Sequence, residues 1–335
     1  MNIYDISRRA GVSIATVSRV LNNSTHVSQK TKDKVMAVIN ESGYVPNAFA
    51  RGLGLNTMKT IGLLCPNAAD SYLAQALGFL EQEFRSHQYN CVLSCTGKEL
   101  AAREDGVSQL MNRHVDGLVL MGSSFIEEND GDNEYIRQAA KVMPVVILNG
   151  SFLYDNVYCV LCDDRRATKE ACRFLIESGC KNVLYLHHSR NYSGQKKLQG
   201  YCEGLESCGL PVRKELIHLF SEDKMSVPHV RDYLVHLHEE GLQFDAVLSS
   251  EDILAVGAAK YARVVHQSIP KQLSIIGYNN SNFCLCCEPE LTSVDNRLNA
   301  LCSHCVTTML GVLEGREMPQ RTVFTAEMVR RGSTL

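Results

Sequence analysis

From Lys59 onward, short apolar runs alternate with amphipathic helical stretches, and few folds accommodate that order. The runs are Ile61–Cys65, Cys91–Ser94, Gly117–Met121, Val145–Leu148, Val183–Leu186, Ala246–Leu248 and Leu273–Ile276. Between them lie stretches with a helical apolar period. In Ser71–His87, for example, Leu73, Leu77, Leu80 and Phe84 share a face. Arg165–Glu177, Gln195–Cys208, Val227–Glu239 and Asp252–His266 read the same way. A strand that returns through a helix comes back parallel to its neighbour. The pattern therefore predicts an α/β fold of parallel sheets with helices on both faces. Ligands in such folds sit beyond the carboxyl ends of the strands.

The chain has 335 residues, room for two or three domains. With 45% hydrophobic and 21% charged residues it has the composition of a globular protein, and disorder or low-complexity scaffolds are excluded. No apolar run approaches the ~18 residues of a membrane span. The N-terminus is polar from Asn2 and shows no signal-peptide core, so a cytoplasmic protein without membrane association is expected. Its 14 cysteines are scattered, and reduced thiols are expected for them.

The charge is unevenly placed. Residues 1–57 hold seven basic and three acidic side chains, a net of +4. The whole chain carries −3, so the remaining 278 residues carry −7. A basic head on an acidic body points to a polyanion partner for the head alone.

Three helical patterns occupy that head. Ile3, Ile6 and Ala10 share one face of the first, with Asn2 as its cap and Gly11 as its end. Ser13 caps the second, whose stripe is Val17, Val20 and Leu21. Ser28 caps the third, which buries Val35, Val38 and Ile39 and ends at Gly43. The short Gly11-Val12-Ser13 turn fits a helix-turn-helix. A second helix of this kind enters the major groove with its N-terminal side chains on base edges. Ile14 and Ala15 suit thymine methyls, and the Arg19 fork matches the two acceptors of guanine. Hydroxyls at helix starts, here Ser13, Thr16, Ser28 and Thr31, commonly hold phosphates. A plain three-helix cap without a ligand is the alternative reading of the spacing alone.

Nothing spells a catalytic motif. There is no G-x-G-x-x-G, G-K-[ST], H-E-x-x-H or G-x-S-x-G. Thr96-Gly97-Lys98-Glu99 stops short of a phosphate loop, and "HLHEE" at 236–240 has the wrong order for a zincin. No catalytic residue, metal ligand or cofactor is assigned, and an enzyme is not expected.

The run "YDISRRAGVSIATVSRVLNNSTHVSQKTKDKVMAVINESGYVPNAFARGL" closely resembles the DNA-binding head of the LacI/GalR family of bacterial transcriptional regulators. Its tightest part is Ala10 to Asn22. The resemblance implies base reading by Ile14, Ala15 and Arg19. It implies backbone contacts from Tyr4, Ser13, Thr16, Asn22, Ser28 and Thr31, with His26 in a loop near the backbone. "PNAFARGL", Pro46 to Leu53, looks like the family's hinge helix. There Asn47 is the cap, Ala50 a further DNA-facing position and Leu53 the wedge into the minor groove. Gly52 departs from many relatives, and an interior glycine costs on the order of 1 kcal/mol relative to alanine.

The body also resembles the family's effector domain, itself like a two-lobed periplasmic sugar-binding protein. The matching pieces include "IGLLCPNAADSYLAQALGFLE", "CDDRRATKEACRFLIESG", "DAVLSSEDILAVGAAKYA" and "LSIIGYNNS". The implied division is 1–45 for the head, 46–57 for the hinge and linker, and 58–335 for the effector and dimerisation domain. Lobe 1 would take about 58–160 and 292–318, lobe 2 about 161–291 and 319–335. The chain would cross between lobes near 159–163, 288–293 and 318–323. By position, Tyr72 and Leu73 line the cleft from the first lobe. Asn191 and Ser193 lie in a loop that reaches the ligand in some relatives. Lys197 stands where an Arg is usual, Asn279 where an Asp is usual, and Glu251 where an Asn often precedes the Asp. Lysine offers a point charge without the planar fork of arginine. Asp163 is the usual acidic residue at a crossover, in a structural role.

The resemblance implies a sequence-specific regulator, a repressor by default. It would bind a near-palindromic double-stranded operator as a homodimer, and a small-molecule effector between the lobes, a sugar or derivative by class, would switch it. The last strand-like run, Thr322–Val329, leads to "RRGSTL" without a leucine-heptad tail, so a dimer rather than a tetramer is expected. An alternative is redox or metal response through Cys284, Cys286 and Cys287 with Cys302 and Cys305, should these two groups approach each other.

Overall fold

The computed structural model describes residues 2–21, 26–43, 57–221 and 224–335. Asn22, Asn47, Ala50 and Leu53, and with them the whole hinge segment, lie outside the described residues.

The head consists of α1 (Ile3–Ala10), α2 (Ile14–Leu21) and α3 (Gln29–Ser42). Local chemistry sets each start. The Asn2 side chain accepts from Asp5 N–H while the Asp5 carboxylate accepts from Asn2 N–H, a reciprocal cap. Ser13 Oγ accepts from Thr16 N–H at 3.2 Å, and Ser28 Oγ from Thr31 N–H. Gly11 ends α1 at φ +59°, a left-handed conformation that glycine adopts without steric cost. Ile6, Ala10, Val17, Val20, Val35 and Ile39 form one small core, with Val38 and Leu21 packed at its edge.

The body opens with β1 (Thr60–Cys65), α4 (Ser71–Ser86), β2 (Asn90–Cys95), α5 (Leu100–Asn112), β3 (Gly117–Met121), α6 (Glu134–Ala140), β4 (Val145–Leu148) and β5 (Val157–Cys162). It continues with α7 (Asp164–Glu177), β6 (Val183–His187), α8 (Tyr192–Ser207), β7 (Ile217–Leu219), α9 (Val227–Glu239), β8 (Ala246–Ser249), α10 (Asp252–Val264) and β9 (Ser274–Tyr278). The chain closes with β10 (Thr292–Asp295), α11 (Leu298–Leu313), β11 (Arg321–Phe324) and β12 (Glu327–Val329).

Among the described residues the strands form two six-stranded sheets. The first runs β11-β5-β4-β3-β1-β2 and is parallel throughout. The second runs β12-β10-β9-β8-β6-β7, with β12 antiparallel to β10. Central strands such as β3 and β9 are buried at every residue, because helices cover both faces. In the first lobe α4 and α11 pack one face, and α5 and α6 the other. In the second lobe α9 and α10 take one face, α7 and α8 the other. On α8, Gly200 and Gly204 admit α7 closely: a Cβ at 200 would stand 2.2 Å from the Arg165 carbonyl oxygen.

The sheet order corrects the expected lobe boundaries. Strand β5 pairs with β11 through Cys162, so the first lobe runs to 162 rather than about 160, and the first crossing falls at Asp163, inside the expected 159–163. Residues 292–295 pair with β9 and belong to the second lobe, which moves the second crossing to 296–297. The run Thr322–Val329, expected as one strand, divides. Arg321–Phe324 pairs with β5 in the first lobe, Glu327–Val329 with β10 in the second, and the third crossing is at 325–326. Among the described residues no helix is long and apolar enough to cross a membrane.

Candidate DNA-binding head and interlobe cleft

The core of the head leaves one side of α2 uncovered. Val17 and Val20 face inward, while Ser13, Ile14, Ala15 and Arg19 are exposed. Thr16 is half-buried, and its hydroxyl lies 2.9 Å from that of Ser13. Ser28 and Thr31 make the same pair at the start of α3, again at 2.9 Å. Tyr4 is 61% exposed and His26 is also on the surface. Ile14 is 39% exposed at the start of α2, with Ala15 on the surface beside it. Apolar groups left outside at a helix start suit contact with another surface.

In the body, a cleft lies between the lobes at the carboxyl ends of the strands. Tyr72 and Gln75 of α4 line it from the first lobe; Glu251, Asn279 and Phe283 line it from the second. Tyr72, Glu251 and Asn279 are therefore brought together. Leu73 is not. It turns into the first-lobe core, because its N–H is held by the Asp70 cap and the helix rotates its side chain beneath Tyr72.

Asn191 is occupied as a helix cap: its side-chain oxygen accepts from Gly194 N–H at 3.0 Å. Ser193 is buried and joins the lobes, with its N–H donating to Ser123 Oγ at 3.2 Å. Its own hydroxyl donates to Asp164, whose second oxygen accepts from Tyr278 OH at 2.7 Å. Lys197 is buried, with Nζ donating to the Ser250 carbonyl at 3.0 Å and lying over the Tyr278 ring. Asn279 has φ +95°, and its side-chain oxygen accepts from Asn296 at 3.1 Å. Asp163 caps α7 through Arg166 N–H, a structural role.

Sequence reasoning missed Asp164, Tyr278 and His188. Asp164 follows Asp163 in "CDDRR", and nothing in the spacing distinguishes the cap from the buried carboxylate. His188 Nε2 lies 3.4 Å from the Glu251 carboxylate. Burial, then the charges of Lys197, Lys98 and His187, hold its pKa down to about 3. The ring is thus neutral at pH 7, and the contact is a polar one rather than an ion pair. The Tyr72 and Tyr185 hydroxyls are buried with no hydrogen-bond partner among the described residues. Burial pushes both phenols well above their ordinary range, so both stay neutral. An unpartnered buried donor is expensive, and at Tyr72, which lines the cleft, a polar ligand would relieve it.

The two cysteine groups lie apart. Cys302 and Cys305 sit in the first-lobe core on α11, whereas Cys284 and Cys287 pack in the second lobe. The condition for the redox or metal alternative, that the two groups approach each other, is not met, because they pack in the cores of different lobes. Burial pushes the Cys302 thiol up to about 12 and raises Cys284 as well, the opposite of a reactive thiolate. Among the described residues no group of three or more His, Cys, Asp or Glu is placed to hold a metal ion.

A chain that carries a helix-turn-helix head on a two-lobed body of this kind falls in the class of DNA-binding transcriptional regulators. Comparison with known proteins agrees. Residues 2–47 match the model of bacterial regulatory proteins of the lacI family. Residues 58–323 match that of periplasmic binding proteins and the sugar-binding domain of the LacI family. An HTH-type transcriptional regulator of Lachnoclostridium phytofermentans is 45% identical over 100% of this chain and 99% of its own. Catabolite control protein A of Priestia megaterium is 30% identical over 88% and 87%. The lac repressor dimer bound to operator and the anti-inducer ONPF shares the fold, with a TM-score of 0.87 at 22% identity over 100% and 99% of the chains.

The chain belongs to the LacI family. It is a DNA-binding transcriptional regulator with a sugar-binding-type domain, not an enzyme.

Proposed function

We propose that this regulator acts as a homodimeric repressor in the cytoplasm, with its operator affinity set by a small polar effector between the lobes. The observation that carries the reading is the uncovered face of α2, where Ile14, Ala15 and Arg19 stand out over a closed core. Laid in the major groove, that face puts Arg19 against a guanine edge and Ile14 and Ala15 against thymine methyls. Tyr4, Ser13, Thr16, His26, Ser28 and Thr31 then bear on phosphates, which supply most of the affinity and make it salt-dependent. Two heads on a two-fold dimer read a near-palindrome.

The effector is of the sugar class. Tyr72, Glu251 and Asn279 offer an aromatic face, a carboxylate and an amide, a set suited to hydroxyl-rich ligands. An effector bound there bears on both lobes, as does the Ser193–Ser123 hydrogen bond. It shifts the equilibrium between lobe arrangements by its differential affinity for them. The test is selection from random DNA with purified protein at fixed salt, followed by sugar titrations against the selected site. A palindromic site whose binding responds to a sugar is the expected result. Enrichment of no sequence, with or without sugars, refutes the reading.

A further inference from the structure

Cys65 ends β1 and Cys95 ends β2, and the two face each other in the parallel ladder. Their sulfurs are 3.8 Å apart. Adjacent strands lie about 4.8 Å apart, within the Cα separation that disulfides span. Closing the gap to a bond of about 2.05 Å asks for side-chain rotation, not strand movement. The backbone pairing also runs past the cysteines. Thr96 N–H donates to the Cys65 carbonyl and Gly97 N–H to the Pro66 carbonyl, each at 3.0 Å. Cys95 is exposed and Cys65 fully buried, and both are free thiols.

We propose that Cys65 and Cys95 are an oxidative modification site that closes to a reversible intramolecular disulfide when the protein meets a peroxide. Cys95 is the thiol that solvent reaches. Its sulfur attacks the peroxide, a sulfur–oxygen bond forms as the oxygen–oxygen bond breaks, and hydroxide leaves with the thiol proton as water. Cys65 then displaces hydroxyl from the sulfenic acid on Cys95, and the second water leaves with the Cys65 proton. Two thiols lose two electrons in all, and one hydrogen peroxide is reduced to two waters. Burial, then the charges of Cys95 and Asp70, push Cys65 up to about 12. Burial favours the protonated Cys65, so the resolving step speeds up as pH rises and thiolate accumulates.

The rival partners are badly placed. Cys91 on β2 faces Ile61 in the ladder, so no thiol stands opposite it. Cys302 and Cys305 are sealed in the first-lobe core. The site also touches function. Asp70, five residues beyond Cys65, caps the helix that carries Tyr72 into the cleft, so a cross-link at 65–95 stiffens the first-lobe wall.

The test uses the full chain, reduced, treated with hydrogen peroxide, alkylated and digested with trypsin without reduction. Cys65 lies in the tryptic peptide 60–85, and Cys95 shares peptide 86–98 with Cys91, so Cys91→Ser is run in parallel. The expected product is 60–85 joined to 86–98 in both proteins, released by dithiothreitol and absent from Cys95→Ser. Its formation should accelerate from pH 7 to 9 as thiolate accumulates. The proposal is overturned if Cys95 ends as sulfinic or sulfonic acid, or links to Cys91 or a second chain, while Cys65 still alkylates after denaturation.

Discussion

The Lys197 ammonium stands 3.8 Å from the centroid of the Tyr278 ring and donates to the Ser250 carbonyl. A buried cation is tolerable on those terms, because the ring face and the carbonyl dipole replace its lost water. Tyr278 in turn donates to Asp164, which also takes the Ser193 hydroxyl. Ser193 reaches across to Ser123 in the first lobe. A ligand that draws on Lys197 therefore acts on a hydrogen-bonded chain that ends in the other lobe.

Lys197→Met tests that coupling. Methionine keeps the apolar stem that Lys197 buries and removes only the charged head that the Ser250 carbonyl and the Tyr278 ring hold. Operator affinity without effector should stay within about twofold, and effector affinity should fall about tenfold or more, read by fluorescence anisotropy. Wild-type effector response in this variant would detach Lys197 from the switch.

Arg19→Ala should weaken binding to the selected operator by about 1–3 kcal/mol, roughly 5- to 150-fold. Binding to unrelated DNA at the same salt should change far less, because phosphate contacts remain. Equal losses on both DNAs would make Arg19 a phosphate contact.

Gly200→Ala should lower stability by about 1–3 kcal/mol. The added Cβ would meet the Arg165 carbonyl oxygen at 2.2 Å, and a backbone atom held in α7 cannot swing aside. Thermal unfolding of the full chain reads this. An unchanged midpoint would mean that the two helices separate freely.

Acid should destabilise the body from about pH 6.5 downward. The folded His188 titrates at about 3, the unfolded ring near 6.5, so between those values the unfolded chain binds the extra proton. The contribution is complete above pH 6.5 and is lost as pH falls toward 3, at up to about 1.4 kcal/mol per unit. Unfolding in denaturant at pH 7 and 5 should show His188→Asn losing about 2 kcal/mol less than wild type over that interval. Parallel losses in the two proteins would contradict it.

The head was legible because its chemistry is local. Ser13 and Ser28 cap helices that begin within three residues of them, and the apolar stripe of α2 dictates which face stays outside. Most strands and helices of the body were legible for the same reason. The lobe boundaries were not. Thr292–Asp295 and Arg321–Phe324 are short, and what assigns them to a sheet is a partner strand far away in the chain.

The sequence by itself determined the helix-turn-helix head, the parallel α/β body and the membership in a regulator family, since periodicity, caps and motif residues are written within a few turns of chain. Tertiary structure decided the rest. It turned Leu73 into the core and left Tyr72 at the cleft, although the two are adjacent. It made Asp164 rather than Asp163 the buried carboxylate. It set Cys95 against Cys65 across a ladder. Those outcomes depend on which surfaces pack against each other, and packing joins residues that no sequence spacing connects.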